Sequence, residues 1–463
     1  MNRKRRLITI TTIVAIASVA IGVVALTLAG KKSTPLDSNQ ALSLYQKAIR
    51  ALPQSSYTYT ISTTKETVLN KNVIPESAVQ DITYQNLGTN DFLATVYEER
   101  KIGDQVISSA EQFKENTGYF SVADSGFRCP ISADDFTARY APLLLITSDL
   151  YKKVSGYKNR NSYVLNFTEP ISLESWVTKT PSTPVQAEGT VTLTKNGELA
   201  HCRYNCTYTE NGIEYTISIQ STPSKEQKSV TIQEDASRFT QICHPDAAKS
   251  LELSCAYLMA ATDVHAVYED TTFCQAFGDK RIQNIVLDTS TQEEWVARVT
   301  TTTTLSNDSK SIAQSTIVKE ENYDHNGYSI RINESEPTED EQIQQGVMRE
   351  HCQNILIGSV MLPEYITTVE FSEEEGIITY RYEANDAFVA QIRSDAFVAL
   401  YQDPNVLNTH TQEYTTERAE FYLSVDLGTK LPCSSGYYYT GFYTVDTLPY
   451  RLIYNAEQTY TIK

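Results

Sequence analysis

The stretch from Glu188 to Gln220, EGTVTLTKNGELAHCRYNCTYTENGIEYTISIQ, is written in a period of two, and that period most limits what the chain can become. Val191 and Leu193 share one face of their segment. So do Cys202, Tyr204, Cys206 and Tyr208, and so do Ile213, Tyr215, Ile217 and Ile219. Between them stand Thr190, Thr192, Arg203, Asn205, Thr207, Glu214 and Thr216. Successive side chains of a strand point to opposite sides, so each segment reads as a half-buried antiparallel strand. Asn196-Gly197 and Asn211-Gly212 join them, a pair suited to type I′ turns with positive φ at both central positions. A wide meander with one apolar face must curl, take a helix on that face, or hold a ligand there.

The same period runs through Tyr57–Lys65, with Tyr57, Tyr59 and Ile61 on one face and Thr58, Thr60 and Ser62 on the other. Before it, Asn39–Leu52 places Leu42, Tyr45, Ile49 and Leu52 on one helical face, and Pro53 stops the helix. With 30 Tyr against 14 Phe and 2 Trp, and no long run of helix formers, the composition favours strands. The expected class is mainly β (α+β).

The chain also repeats itself, in one order and in five blocks. NDFLATVYEER (Asn90–Arg100) answers EEWVARVTTTT (Glu293–Thr303), and KENTGYFSV (Lys114–Val122) answers YDHNGYSIRI (Tyr323–Ile332). SADD (Ser132–Asp135) and TEDE (Thr338–Glu341) both look like capped helix starts, a hydroxyl three residues before a carboxylate. LLLITSDLY (Leu143–Tyr151) parallels ILIGSVML (Ile355–Leu362), and AEGTVTLTKNGELAHC (Ala187–Cys202) parallels AEFYLSVDLGTKLPC (Ala419–Cys433). This predicts a tandem duplication, with one copy at residues 38–234, a linker at 235–246, and a second copy at 247–463.

The order helix, strands, short helix, strands resembles the LolA-like and LppX-like extracytoplasmic carriers. LYQKAIRAL with YTYTISTTKET, and ADDFTARYAPLLLITSDLY, also resemble uncharacterised membrane-attached proteins of Gram-positive bacteria with that fold. The resemblance implies two tandem curved antiparallel half-barrels, each with covering helices and an apolar groove. It implies a lipid, acyl-chain or lipoprotein ligand, with no cofactor. Tyr57, Tyr59, Ile61, Tyr204 and Tyr208 are the expected groove lining. The alternative is a non-catalytic sensory or protein-interaction ectodomain, in which those side chains pack on helices.

Residues 7–30 form 24 consecutive uncharged positions, about 36 Å of helix at roughly 1.5 Å per residue, against a hydrocarbon core of about 30 Å. That is longer than the ~7–15 apolar residues of a cleaved signal peptide. Arg3, Lys4, Arg5 and Arg6 precede it and only Lys31 and Lys32 follow closely, so residues 1–6 are expected in the cytoplasm, 7–30 as a single-pass signal-anchor, 31–37 as a linker, and the rest outside the cell membrane. Six of the 39 basic residues and no acidic ones fall in the first 32. The remainder carries 33 basic against 57 acidic residues, a net charge of −24, which argues against nucleic acid as a partner.

No catalytic or metal pattern emerges. GxSxG, HExxH, a phosphate loop and an EF-hand are all missing from the sequence. STTK (Ser62–Lys65) fits SxxK in letters only, because strand positions three apart face opposite ways. The pairs His201-Cys202, Cys243-His244 and His351-Cys352 are too close for the usual two-to-four-residue ligand spacing of zinc. The acidic run FSEEEG (Phe371–Gly376) reads as a turn between strands. Eight cysteines leave 105 pairings open, although Cys202 and Cys206, about 13 Å apart along one strand, cannot bond to each other.

Overall fold

The computed structural model describes residues 33–462 apart from 70–71, 123–124, 148–150, 171–185, 211, 227, 231, 233–238, 262, 275–276, 292–293, 308–311, 325–326, 341–346, 348–362, 402–412 and 446–447. The expected signal-anchor at 7–30 and the block at Ile355–Leu362 lie outside the described residues. No helix among those described is long and apolar enough to cross a membrane.

The first half contains β1 (Thr34–Leu36), helix α1 (Ser38–Arg50), β2 (Tyr57–Leu69), β3 (Asn72–Gln85), β4 (Leu93–Ile102), β5 (Gln105–Lys114), β6 (Thr117–Val122) and β7 (Ser125–Pro130). Helix α2 (Ala133–Ala138) follows, then β8 (Tyr151–Lys158), β9 (Ser162–Pro170), β10 (Gln186–Thr194), β11 (Leu199–Glu210), β12 (Ile213–Pro223) and the short β13 (Phe239–Gln241). The second half opens with α3 (Ala247–Ala260) and runs through β14 (Asp263–Cys274), β15 (Phe277–Thr291), β16 (Glu294–Asn307), β17 (Ile312–Asp324), β18 (Gly327–Ile332) and β19 (Thr338–Asp340). It continues through β20 (Ile366–Glu374), β21 (Ile377–Ala384), helix α4 (Asp386–Tyr401), β22 (Glu413–Asp426), β23 (Pro432–Val445) and β24 (Leu448–Ile462).

Each half makes one large sheet. The first is ordered β1-β8-β9-β10-β11-β12-β2-β3-β4-β5-β6-β7-β13, and the second β19-β18-β17-β16-β15-β14-β24-β23-β22-β21-β20. Without β1 and β13 the two orders are the same. In each, six strands run outward from the start of the unit and five return, and the last strand pairs with the first: β12 on β2, β24 on β14. Matched sequence blocks fall on matched strands, Asn90–Arg100 with Glu293–Thr303 on the third and Lys114–Val122 with Tyr323–Ile332 entering the fifth. Pairing is antiparallel except for β13 on β7. The chain is mainly β, and neither sheet closes into a barrel.

Local chemistry accounts for the elements. Asp37 caps α1 by accepting from the Gln40 amide at 2.8 Å, while the Gln40 side chain accepts from the Asp37 amide at 3.2 Å. The buried face of α1 is Ala41, Tyr45 and Ala48, with Leu44, Ile49 and Leu52 half-buried beside it. At Asn196-Gly197 the expected type I′ turn does not form, because Gly197 is left-handed (φ 84°) but Asn196 is not. The Gly197 amide donates to the Thr194 carbonyl (2.9 Å) and the Thr194 amide to the Glu198 carbonyl (2.8 Å). This is a three-residue loop closed by a left-handed glycine, and the register slips there. Positive φ at two successive residues occurs instead at Glu115-Asn116 and Glu375-Gly376. The latter closes the β20–β21 hairpin, but Phe371–Glu374 belong to β20, so only the last two residues of the acidic run form the turn expected for all of it. Thr338–Asp340 forms strand β19 on β18 and not the capped helix start expected there. Its counterpart Ser132 does cap α2, accepting from the Asp135 amide at 3.0 Å. Strand pairing along a free sheet edge overrode the weak local signal at 338.

Candidate functional site

The concave face of the first sheet is the place the sequence points to, and the structure gathers all five expected residues on it. Tyr59, Ile61, Tyr204 and Tyr208 are at most 5 % exposed and Tyr57 is half-buried. Among the described residues no open groove remains above them. Helix α1, helix α2 and the segment Tyr140–Ile146 fill the concavity, placing Tyr45, Phe136, Tyr140, Leu143, Leu145 and Ile146 in the same core. Tyrosine hydroxyls that could have met a headgroup meet backbone carbonyls of the covering segment. Tyr59 donates to Ala141 at 3.1 Å, and Tyr45 donates to Ile146. Gly189 explains how closely the segment lies. A Cβ there would stand 2.5 Å from Ile146 Cδ1. The expectation of an empty apolar groove is therefore corrected for this half: the lining is present, and protein occupies it.

Further along the same face the lining changes character. On β4, Ala94, Val96, Glu98, Arg100 and Ile102 all point inward by the period of two, and Glu111 on β5 and Glu76 on β3 join them. Helix α3 of the second half covers this end. Lys249 Nζ lies 2.5 Å from Glu98 and 3.6 Å from Glu111. Arg139 bridges Glu111 (3.2 Å) and Asp246 (2.6 Å). Arg100 pairs with Glu76 and, at 3.0 Å through Nε, with Glu98. The Tyr257 hydroxyl donates to Glu76 at 2.7 Å, and that of Tyr140 donates to Glu111. Burial alone would raise the Glu98 carboxyl, but Arg100 and Lys249 outweigh it and hold Glu98 well below the usual carboxylate range. Glu76 is lowered likewise, burial again being overcome by Arg100 and Lys65. Buried charges so fully paired fix position rather than await a substrate.

Helix α3 therefore has two buried sides. Lys249, Ala256 and Tyr257 face the first sheet with Ile74, Ile102 and Ile107. Ala247, Ala248 and Leu251 belong to the second core, with Phe421, Leu423, Tyr437, Tyr439, Leu452 and Tyr454. The Tyr382 hydroxyl donates to the Ala247 carbonyl at 2.6 Å and holds the start of the helix. Between this side and the second sheet lies a cavity of about 20 Å³ lined by Leu251, Ser254, Cys255, Leu258, Phe421, Leu423, Pro432, Ser435 and Tyr460. That is room for about one water. The sequence reading missed both the charged belt and this double-sided helix. One signal was available: AAKSLELSCAYLMA carries only Lys249 and Glu252 as charged residues and only two serines besides, with apolar residues around its whole circumference, as suits a helix buried on two sides.

Among the described residues no group of three or more His, Cys, Asp or Glu could hold a metal ion. The described thiols Cys129, Cys202, Cys206, Cys243, Cys255 and Cys433 are free. Burial pushes Cys202 and Cys255 up to about 12, which disfavours thiolate chemistry at both.

No family model matches the chain, and no curated protein matches it. Among solved structures it is similar to LprF from Mycobacterium bovis, at 12% identity and a TM-score of 0.26 over 42% of this chain and 97% of that one. It is also similar to two Pseudomonas aeruginosa proteins, OpdQ (8% identity, TM-score 0.13, 88% and 99% covered) and OpdL (7% identity, TM-score 0.13, 88% and 98% covered). Likenesses this distant carry no argument about what the chain binds.

Proposed function

We propose that the chain is a membrane-anchored extracytoplasmic binding protein without catalytic activity, in which the second half-barrel takes an elongated apolar ligand beneath α3 and the first half-barrel is the frame that holds α3 in place. The two matching sheets are read as a tandem duplication, bounded near residues 38–234 and 247–463, in which one copy has lost its groove and the other keeps a lid. The observation that carries this reading is the apolar, tyrosine-rich face of the second sheet covered by α3, a helix pinned to the first sheet through Lys249, with a gap of about one water between helix and sheet. Burying about 12 methylenes at roughly 0.8 kcal/mol each gives about 10 kcal/mol before immobilisation costs. Evicting α3 would expose Leu251, Leu258 and Tyr257, at about 2–3 kcal/mol each, and break buried ion pairs at about 3–5 kcal/mol. The two sums are comparable. A gap of about one water cannot hold such a chain as it stands, so a ligand enters only by shifting α3 on the second sheet.

A second reading, an interaction ectodomain with no small ligand, is favoured by the packing over Tyr57, Tyr59, Ile61, Tyr204 and Tyr208 and by the size of the gap. Native mass spectrometry of the full chain, released gently from its membrane, separates the two. One bound acyl lipid per chain supports the first reading. A bare polypeptide mass at every collision energy leaves the second.

A further inference from the structure

The first half-barrel has a charge asymmetry that the net acidity hides. Strand β1 joins the sheet edge with Thr34 opposite Lys158, so the chain arrives from residues 31–33 at the rim bearing the β8–β9 turn, Asn159–Asn161. Thr194 lies opposite Ser162, which brings the β10–β11 turn to the same rim. Pro223 lies opposite Tyr59, so the residues after β12 emerge there too. The Ser224 amide, donating to the Thr58 carbonyl at 2.8 Å, keeps them there.

Among the described residues these neighbouring segments expose Lys158, Arg160, Lys195, Lys225 and Lys228 against Glu198 and Glu226. The excess is three positive charges on a body whose net charge beyond residue 32 is −24. The rest of that rim adds Asp91, Lys114 and Glu115, the last two 3.8 Å apart, with exposed Asp134 and Asp135 just beyond the end of β7, and Lys228 stands 4.0 Å from Asp81, so the positive excess is confined to the β8–β12 corner of the rim. Among the described residues the opposite rim has no positive excess, with Lys101, Lys152 and Lys153 against Asp104, Glu169, Glu188 and Glu214.

We infer that this basic rim is a docking surface for anionic phospholipid headgroups of the membrane in which the chain is anchored. The inference rests on the anchored reading above. If the apolar run ends at Gly30, four residues reach Thr34 and span at most about 14 Å. A polar headgroup layer of about 5–7 Å takes up nearly half of that. The rim is thereby held within about one Debye length of the lipid surface, where each basic residue strengthens attachment about fivefold at low salt. Strand β1 makes the geometry stiff, because a segment paired along a sheet edge cannot act as a loose leash. Lys158 is further ordered by lying 5.5 Å over the Tyr163 ring, a contact that leaves its ammonium exposed. The charged rim thus orients the ectodomain, with the first half-barrel at the membrane and the α3 end turned away.

The test is lysine acylation of the full chain in lipid nanodiscs, read site by site by mass spectrometry. In discs containing phosphatidylglycerol, Lys158, Lys195 and Lys225 should react several-fold more slowly than in phosphatidylcholine discs, and high salt should close the gap. Lys153, at the opposite rim, is the internal reference and should react equally in both. Charge reversal at two exposed turn positions, Arg160→Glu with Lys195→Glu, should restore fast acylation at Lys158 and Lys225. Equal rates in the two lipids would overturn the docking surface while leaving the anchor intact. A chain that does not enter the discs would overturn the anchor and the docking surface together.

Discussion

Replacing Glu98 by glutamine tests whether charge holds α3 on the first sheet. The Glu98 side chain is 3 % exposed, and its partners Arg100 and Lys249 are 23 % and 11 % exposed, so solvent screens the group little. Removing one member of a buried, hydrogen-bonded charge set costs about 3–5 kcal/mol, because the remaining charges are left uncompensated. Here each cation keeps one other carboxylate, Glu76 for Arg100 and Glu111 for Lys249. The loss should therefore sit at the low end, about 3 kcal/mol. Urea unfolding of the full chain measures it as a lower midpoint with an unchanged slope. Lys153→Met is the control. Its partner Glu169 lies 3.7 Å away, but both are more than 60 % exposed, and the change should cost less than about 1 kcal/mol. A Glu98→Gln loss as small as the control's would refute the idea that the belt clamps the two halves.

The same carboxylates set a pH dependence. Glu76 and Glu98 have folded values lowered below the ordinary glutamate value of about 4.3, so their contribution is fully present above that pH and lost as pH falls below it. Acid titration should release α3 from the first sheet under those conditions, and Glu98→Gln should reduce the acid-dependent part of the loss. Gly189→Val should lower the melting temperature by an amount corresponding to about 1–3 kcal/mol, through collision with Ile146; an unchanged melting temperature would mean that Tyr140–Ile146 does not press on the sheet as described. Tyr59→Phe should cost about 1 kcal/mol through the lost hydrogen bond to Ala141 and leave any acyl-chain uptake unchanged; loss of uptake would put the ligand in the first groove. Native-state alkylation should mark exposed Cys243 well before Cys202, whose thiol is fully buried; comparable rates would show that the first core opens readily.

Much of the fold was legible because a half-buried strand imposes its period on the letters. Tyr57, Tyr59 and Ile61, and Cys202 through Tyr208, were assigned to one face and lie together in one core. What fills the space above them was not legible, since Tyr140–Ile146 is remote from both in the chain, with Tyr59 meeting Ala141 across 82 positions. Glu98 and Arg100 were hidden differently. Their spacing from Ala94 and Val96 already placed them inward, but a charged residue in an alternating strand is ordinarily read as solvated, and their partner Lys249 stands in the other half. The turn at Asn196-Gly197 went astray because two letters fit more than one loop, and the strand pairing around them decided which formed. At Thr338–Asp340 a capping pattern lost to a free edge that a strand could extend.

The most direct test of ligand binding under α3 is hydrogen exchange of the full chain with and without a long-chain fatty acid. The expected result is uptake of one equivalent, with changed exchange confined to residues 247–260 and to the facing strands around Phe421, Leu423 and Ser435, while Tyr57–Ile61 and Tyr204–Tyr208 stay as they were. No uptake at all, or protection that appears at Tyr57–Ile61 and Tyr204–Tyr208 instead, would contradict it.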